Sequence, residues 1–344
     1  MLISDFDYRL PEELIAQEPL KHRESSRMLV VDRAESGWTD GQFADFPSFL
    51  RETDVLVLNT TRVFPARLLG EKATTGAGIE LFLIRELENQ VWEALARPAR
   101  RLKIGTKVFF NENLEAEVLE KNSEGHLIVR FDAKGNFDEV LEEVGKTPLP
   151  PYIKREGGSL DRDRERYQTV FAKERGAIAA PTAGLHFTPE ILEKVKETGA
   201  TVAEVTLHVG YGTFEPVRVS DLSEHSVAPE QCEISRETAE ILNRAKSNGA
   251  RIIAVGTTTT RALESSVSEE GEFLAGKRSA NLTIIPGYKF KAVGGLLTNF
   301  HLPQSSLLVL VSTFAGFDLT MKAYDHAVNS RYRFYSYGDC MLIL

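Results

Sequence analysis

Three histidines, His186, His208 and His301, each sit in a short segment that follows an apolar run and mixes Gly, Thr, Asn or Pro. Histidine titrates closest to neutrality, so it can give or take a proton at physiological pH. It can equally be a packed residue bonded to a carbonyl, and both readings stand for His186 and His208. Around His186 the chain reads Ala180-Pro181-Thr182-Ala183-Gly184-Leu185-His186-Phe187, where small residues let backbone approach a ligand closely. His208 lies in Thr206-Leu207-His208-Val209-Gly210-Tyr211-Gly212-Thr213-Phe214, with an aromatic between two glycines. His301 closes Leu297-Thr298-Asn299-Phe300-His301. In Asn59-Thr60-Thr61-Arg62, Arg62 could clamp a carboxylate or phosphate through two parallel hydrogen bonds, or simply hold a crossover loop. In Gly256-Thr257-Thr258-Thr259-Thr260-Arg261, amides and hydroxyls at a strand-to-helix turn could face an anion, although neither GK[ST] nor GxGxxG is present. Three histidines can bind zinc. None of these falls in HExxH or another close pair, so no metal is expected. The tail Tyr332-Arg333-Phe334-Tyr335-Ser336-Tyr337 suits base stacking or an aromatic core.

These residues need a scaffold that gathers them. Short β runs at 79–84, 91–96, 107–110, 114–119 and 127–131, separated by turn signals such as Ser123-Glu124-Gly125, predict a small antiparallel barrel. A helical stretch over 138–144 then leads to the rigid Pro148-Leu149-Pro150-Pro151. Elsewhere helix and strand alternate. Thr188-Pro189 starts a helix that Gly199 stops, 202–209 is a strand, Ser235 opens a helix to Gly249, and 251–255 is a buried strand. A further helix is expected over 305–314. Residues 55–58 also read as a buried strand. The expected fold is therefore α/β, a mostly parallel sheet flanked by helices, with an inserted all-β barrel. Residues 1–66 and 152–344 would form a discontinuous catalytic domain, and 67–151 the barrel. Ligands of such sheets bind beyond the C-terminal strand ends, where the five segments fall.

Composition limits the function. The 344 residues are 42% hydrophobic and 26% charged, enough for a packed core. Two cysteines, Cys232 and Cys340, exclude a disulfide framework. Residues 1–9 carry acid and no apolar run, unlike a signal peptide, and no stretch is long enough for a membrane span. A cytoplasmic protein is expected. A net charge of −9 argues against a general nucleic-acid coat but allows one RNA to be held by a local patch. Arg97-Pro98-Ala99-Arg100-Arg101-Leu102-Lys103 is such a patch, or else a surface turn. Arg162-Asp163-Arg164-Glu165-Arg166 alternates in sign and reads as a solvated face.

Residues 180–187, 206–219, 256–264, 296–303 and 332–344 resemble the bacterial S-adenosylmethionine:tRNA ribosyltransferase-isomerase family of queuosine biosynthesis. So do Asp5-Phe6-Asp7-Tyr8-Arg9-Leu10-Pro11, residues 59–68, and Pro148 to Ile153 with Arg166-Tyr167-Gln168-Thr169-Val170, in colinear order over essentially the whole chain. The resemblance implies transfer and isomerisation of the ribosyl part of S-adenosylmethionine onto the aminomethyl-deazaguanine wobble base of tRNA, releasing adenine and methionine. It implies no cofactor beyond S-adenosylmethionine as co-substrate. The expected partners are tRNA through its anticodon loop and S-adenosylmethionine, with no membrane and a monomeric chain. His186, His208 and His301 are then the acid/base candidates, because a sulfonium acidifies the neighbouring ribosyl C–H. Arg62 or Arg261 would hold the methionine carboxylate, and Tyr211 could face the sulfonium. Asn59, Thr182, Gly184, Gly210, Gly212, Thr257, Thr258, Asn299 and Arg333 complete the expected substrate-binding set. Three positions depart from the family pattern: Ala228 stands for a His, Gly294 for an Asp and Tyr211 for an Ala. Three other readings remain: a small-molecule nucleotide enzyme with the barrel as lid, a non-catalytic RNA-binding module, and a divergent paralogue.

Overall fold

The computed structural model describes residues 1–123, 125–155, 161–214 and 217–344. Glu124 of the turn at 123–125, and Glu215 and Pro216 of the motif at 206–219, lie outside the described residues. The strands are β1 (Arg27–Asp32), β2 (Gly37–Gln42), β3 (Val55–Asn59), β4 (Thr61–Val63), β5 (Arg67–Lys72), β6 (Gly78–Glu88), β7 (Val91–Arg97), β8 (Lys107–Asn111), β9 (Leu114–Lys121), β10 (Leu127–Ala133), β11 (Glu174–Ala177), β12 (Thr201–Leu207), β13 (Glu230–Ile234), β14 (Ile252–Val255), β15 (Gly276–Ala280), β16 (Gly295–Asn299) and β17 (Cys340–Ile343). The helices are α1 (Phe137–Val144), α2 (Asp161–Arg166), α3 (Pro189–Glu197), α4 (Arg236–Ser247), α5 (Thr257–Glu264), α6 (Ser306–Ala315) and α7 (Phe317–Asn329).

A nine-stranded sheet runs β15-β13-β12-β3-β14-β16-β17-β1-β2. It is parallel through its centre, β12-β3-β14-β16, and again at β17-β1. The other pairings are antiparallel, so the whole is mixed. The parallel centre follows from sequence. β3 (VLVLN), β14 (IIAV) and β16 (GLLTN) are buried at every position, as strands covered on both faces must be. Alternate side chains feed two cores. Val55, Val57, Ala254 and Leu296 pack with α4 to α7, whereas Leu56, Leu58, Val255 and Leu297 pack with α3 and Phe43, Phe46 and Phe187. Polar edges close the sheet at β2 (GWTDGQ) and β15 (GKRSA).

Local signals place the helices. The Thr188 hydroxyl accepts from Ile191 N, Pro189 occupies the first turn, and Gly199 takes φ 88° beyond the end of α3. Ser235 and Ser305 cap α4 and α6 in the same way. Expected bounds shift by a few residues: α4 stops at Ser247, and β12 stops at Leu207, although His208 N still donates to Gln231 O of β13.

β5 to β10 close into an antiparallel barrel ordered β10-β7-β6-β5-β8-β9. Its inward residues alternate along each strand and include Leu68, Leu81, Leu83, Val108, Val118, Leu127 and Val129. Where the chain leaves the sheet and where it returns lie side by side: Arg67 and Lys146 exchange backbone hydrogen bonds. Gly145 is pressed against Pro65 there, leaving no room for a Cβ.

Candidate active site

The C-terminal ends of the four central parallel strands point to one edge, and the loops that leave them build the site. Asn59 ends β3 and knots two strands together. Its Oδ1 accepts from Thr61 N and Leu207 N, and its Nδ2 donates to Leu207 O and reaches Thr258 Oγ1 at 3.4 Å. With every polar atom partnered inside the protein, Asn59 frames the edge.

The 3-10 turn Thr182–His186 lies over β16. Gly184 is needed there, because a Cβ would sit 2.8 Å from Phe171 and Thr169. That packing delivers His186, which is buried between the Ser26 hydroxyl (2.7 Å from Nδ1) and Asn299 Oδ1 (3.3 Å from Nε2). Burial pushes its pKa down to about 4. The Asn299 hydrogen bond opposes that shift, and the positive charges of Arg23 and Arg333 reinforce it. His186 also lines a cleft with Arg23, Ser26, Arg166, Ser336 and Tyr337.

His301 is on the other side of the same strand end. Thr298 and Asn299 project to opposite faces, and His301 Nε2 pairs with Thr298 Oγ1 at 2.8 Å. Its backbone is gripped by tyrosines: Tyr324 Oη accepts from His301 N, and Tyr8 Oη donates to His301 O. Burial takes its pKa to about 3. His208 follows β12, three strands from β16, so it is roughly 14 Å along the edge from Asn299. Half-buried, it pairs with Thr61 Oγ1 at 2.8 Å, and burial lowers its pKa. The three histidines therefore share an edge but do not touch through the hydrogen bonds they make. Among the described residues no three His, Cys, Asp or Glu side chains are grouped as metal ligands.

The other expected binding residues divide. Arg261 is consumed within the protein: it ion-pairs with Glu230 and donates to the carbonyls of Ala228, Ala280 and Leu282. Arg62, on β4, is exposed and has no hydrogen bond or ion pair with a described residue. Gly210 donates to Glu230, and Gly212 lies against Ala228, so the Cβ at position 228 fills the space a larger side chain would contest. Tyr211 meets the barrel residue Phe82 edge-on at 5.9 Å. Thr257 and Thr258 are buried in the first turn of α5 beside Gly256, which approaches Ala183. Gly294 accepts a hydrogen bond from Arg33. In the tail, Tyr332 and Phe334 are core residues around Phe300, and Tyr335 stacks on Tyr152. The basic patch places Arg97 in a groove of about 530 Å3 with Arg67, Lys154 and Arg155. Sequence reading missed Arg23 and Ser26, which carry no local motif and reach the site only through the fold, and gave Tyr152 no role although it lies in the Pro148 to Ile153 segment.

A sequence model of the family described as "Queuosine biosynthesis protein" matches residues 3–343. The chain belongs to that family. Curated relatives agree over their full length. An S-adenosylmethionine:tRNA ribosyltransferase-isomerase of Syntrophotalea carbinolica is 51% identical, covering 100% of both chains. That of Natranaerobius thermophilus is 50% identical, covering 100% of this chain and 99% of the relative. A crystal structure of the S-adenosylmethionine tRNA ribosyltransferase from Thermotoga maritima superposes with a TM-score of 0.56 at 38% identity, covering 99% of this chain and 100% of that one. Family membership disfavours the readings of a small-molecule enzyme, a bare RNA-binding module and a divergent paralogue.

Proposed function

We propose that this chain transfers and isomerises the ribosyl moiety of S-adenosylmethionine onto the aminomethyl-deazaguanine wobble base of tRNA, giving epoxyqueuosine and releasing adenine and methionine. The full-length identity of about half to relatives with that named activity carries the reading. The site's chemistry supports it. The first step removes a proton from a ribosyl carbon beside the sulfonium, and a neutral imidazole is the form able to accept it. His186 and His301 are both held in that form by burial. The base that takes the ribosyl proton can return it to adenine as adenine leaves, so one histidine serves both steps.

In this proposal His186, His208 and His301 are the acid/base set. Asn59, Thr182, Gly184, Gly210, Tyr211, Gly212, Thr257, Thr258, Arg261 and Asn299 shape the pocket, and Arg62 and Arg333 offer charge. S-adenosylmethionine is the only small co-substrate, and the tRNA enters by its anticodon loop. The protein works as a cytoplasmic monomer. Residues 1–66 and 152–344 act as the catalytic domain and 67–151 as the barrel domain. The groove around Arg97 is the place for RNA backbone beyond the reacting base. The test is to mix the protein with S-adenosylmethionine and tRNA carrying the aminomethyl-deazaguanine, and to follow free adenine. Release that requires this tRNA supports the proposal. No release, or release without RNA, overturns it.

A further inference from the structure

Ion pairs hold most of the half-buried arginines of this protein. Arg67 pairs with Glu80, Arg155 with Asp163, Arg251 with Asp54 and Arg261 with Glu230. Three arginines beside His186 differ. Arg23 donates to the carbonyls of Leu185 and Glu165, Arg166 to those of Leu20 and Lys21, and Arg333 to that of Glu18. None of the three is within ion-pair distance of a carboxylate among the described residues. Arg166 Nε and Arg333 Nη1 are buried with no partner, as are single nitrogens of Arg67, Arg175 and Arg278 elsewhere, so the contrast lies in the absence of a carboxylate rather than in the unmet donor. A buried guanidinium N–H without an acceptor is costly, so natural structures seldom leave one unmet.

Two of the three share one cleft. Arg23 and Arg166 line it together with His186, Ser26, Ser336 and Tyr337, and Arg333 does not. The nearest carboxylates do not neutralise the group. Asp339 is spent on the backbone amides of Arg27 and Arg333, and the Glu165 side chain is exposed. The cleft is small, about 20 Å3, so it admits a single oxygen of a ligand's anionic group rather than a whole nucleoside. Backbone carbonyls fix the guanidinium planes without cancelling their charge, the preparation that a carboxylate or phosphate needs.

We propose that Arg23 and Arg166 form an oxyanion-binding pocket beside His186 that takes one anionic group of a substrate. The inference rests on the functional reading above only for the identity of the substrates, whose oxyanions are the carboxylate of S-adenosylmethionine and the phosphodiesters of tRNA. Arg62 stands exposed on the surface, and Arg261 is locked to Glu230.

Binding measured without turnover tests this. S-adenosylmethionine alone and tRNA alone are titrated against the wild type, Arg23→Gln and Arg166→Gln, with Arg166→Lys as the charge-preserving control. Loss of about tenfold or more in affinity for one substrate is expected, with smaller loss in the lysine variant. If S-adenosylmethionine is the one weakened, the oxyanion is its carboxylate. If tRNA is weakened, with a salt dependence shallower by about one ion, it is a phosphodiester. Unchanged affinity for both, in variants that melt with the wild type, overturns the pocket. Should the variants fail to fold, the wild type decides: sulfate must raise its melting temperature in a saturable step at low millimolar concentration, and only the gradual rise that any excluded salt gives overturns the proposal. A chain that binds by these rules yet releases no adenine fails the functional reading and leaves the pocket standing.

Discussion

Burial leaves His186 and His301 uncharged at neutral pH, and this decides what each can offer a substrate. A base whose pKa is near 4 is already deprotonated throughout the physiological range. The profile of kcat/KM, which reports the free enzyme, is therefore expected to stay flat from pH 8 down to about 5 as far as His186 is concerned. An acid limb centred near 6.5, abolished by replacing His186, would contradict that assignment. His186→Ala is expected to lower the rate of adenine release by about 10²–10⁴, the usual contribution of a positioned base, with the melting temperature as control for folding. His208 allows an indirect test. A Cβ at Gly176 would meet the His208 ring at 2.6 Å, so Gly176→Ala must displace the imidazole from Thr61. If His208 takes part in the reaction, adenine release drops while affinity for S-adenosylmethionine changes little. Wild-type turnover in Gly176→Ala would remove His208 from the acid/base set.

Among elements, the join between α5, β13 and β15 depends on one buried pair. Arg261 and Glu230 are both nearly inaccessible, and Arg261 also satisfies three carbonyls on the segments it crosses. Removing one partner strands the other charge, which typically costs about 3–5 kcal/mol. Glu230→Ala should show a loss of that size in urea unfolding, whereas Glu230→Ala combined with Arg261→Met should recover part of it. Additive losses would mean the pair contributes no coupling. This ion pair also shows what sequence could and could not supply. Periodicity and capping residues made the barrel strands, α3, α4, α6 and the central buried strands legible, because those signals are local. The hairpin β1-β2 and the C-terminal β17 were not foreseen. The apolar runs of β1 and β17 gain meaning only by pairing with each other from opposite ends of the chain, and β2 is a polar edge strand with no periodic signal of its own. The site followed the same division. The motif loops around His186, His208 and His301 could be picked out by composition, but not that Ser26 and Asn299 would hold one imidazole. Nor could it be read that Arg261 would turn inward to Glu230 instead of outward to a ligand.

For the whole molecule, two neutral buried histidines make stability depend on pH. An unfolded histidine takes a proton near pH 6.5, while folded His186 and His301 resist until about 4 and 3. Between these limits the unfolded chain binds more protons than the native one, so stability falls as pH falls. Each histidine should contribute on the order of 2 kcal/mol of loss between pH 7 and 5, at about 1.4 kcal/mol per unit of pKa difference. Glu230 and Asp339 act in the opposite sense. Burial raises both, so the native state takes up their protons first and gains stability on acidification. The total slope therefore mixes signs, and only a difference measurement isolates the histidines. Urea unfolding of the wild type and of His186→Gln/His301→Gln at pH 7 and pH 5 provides it. The variant will be less stable at pH 7, because Ser26 and Thr298 lose fitted partners, but it should lose less on moving to pH 5. Equal losses in the two proteins would mean that the native imidazoles titrate as they do in the unfolded chain, and a smaller loss in the wild type than in the variant would mean that they are already protonated in the native state. In that last case the imidazolium would have no free lone pair to take a ribosyl proton, and the acid/base role assigned to this edge of the sheet would fall with it.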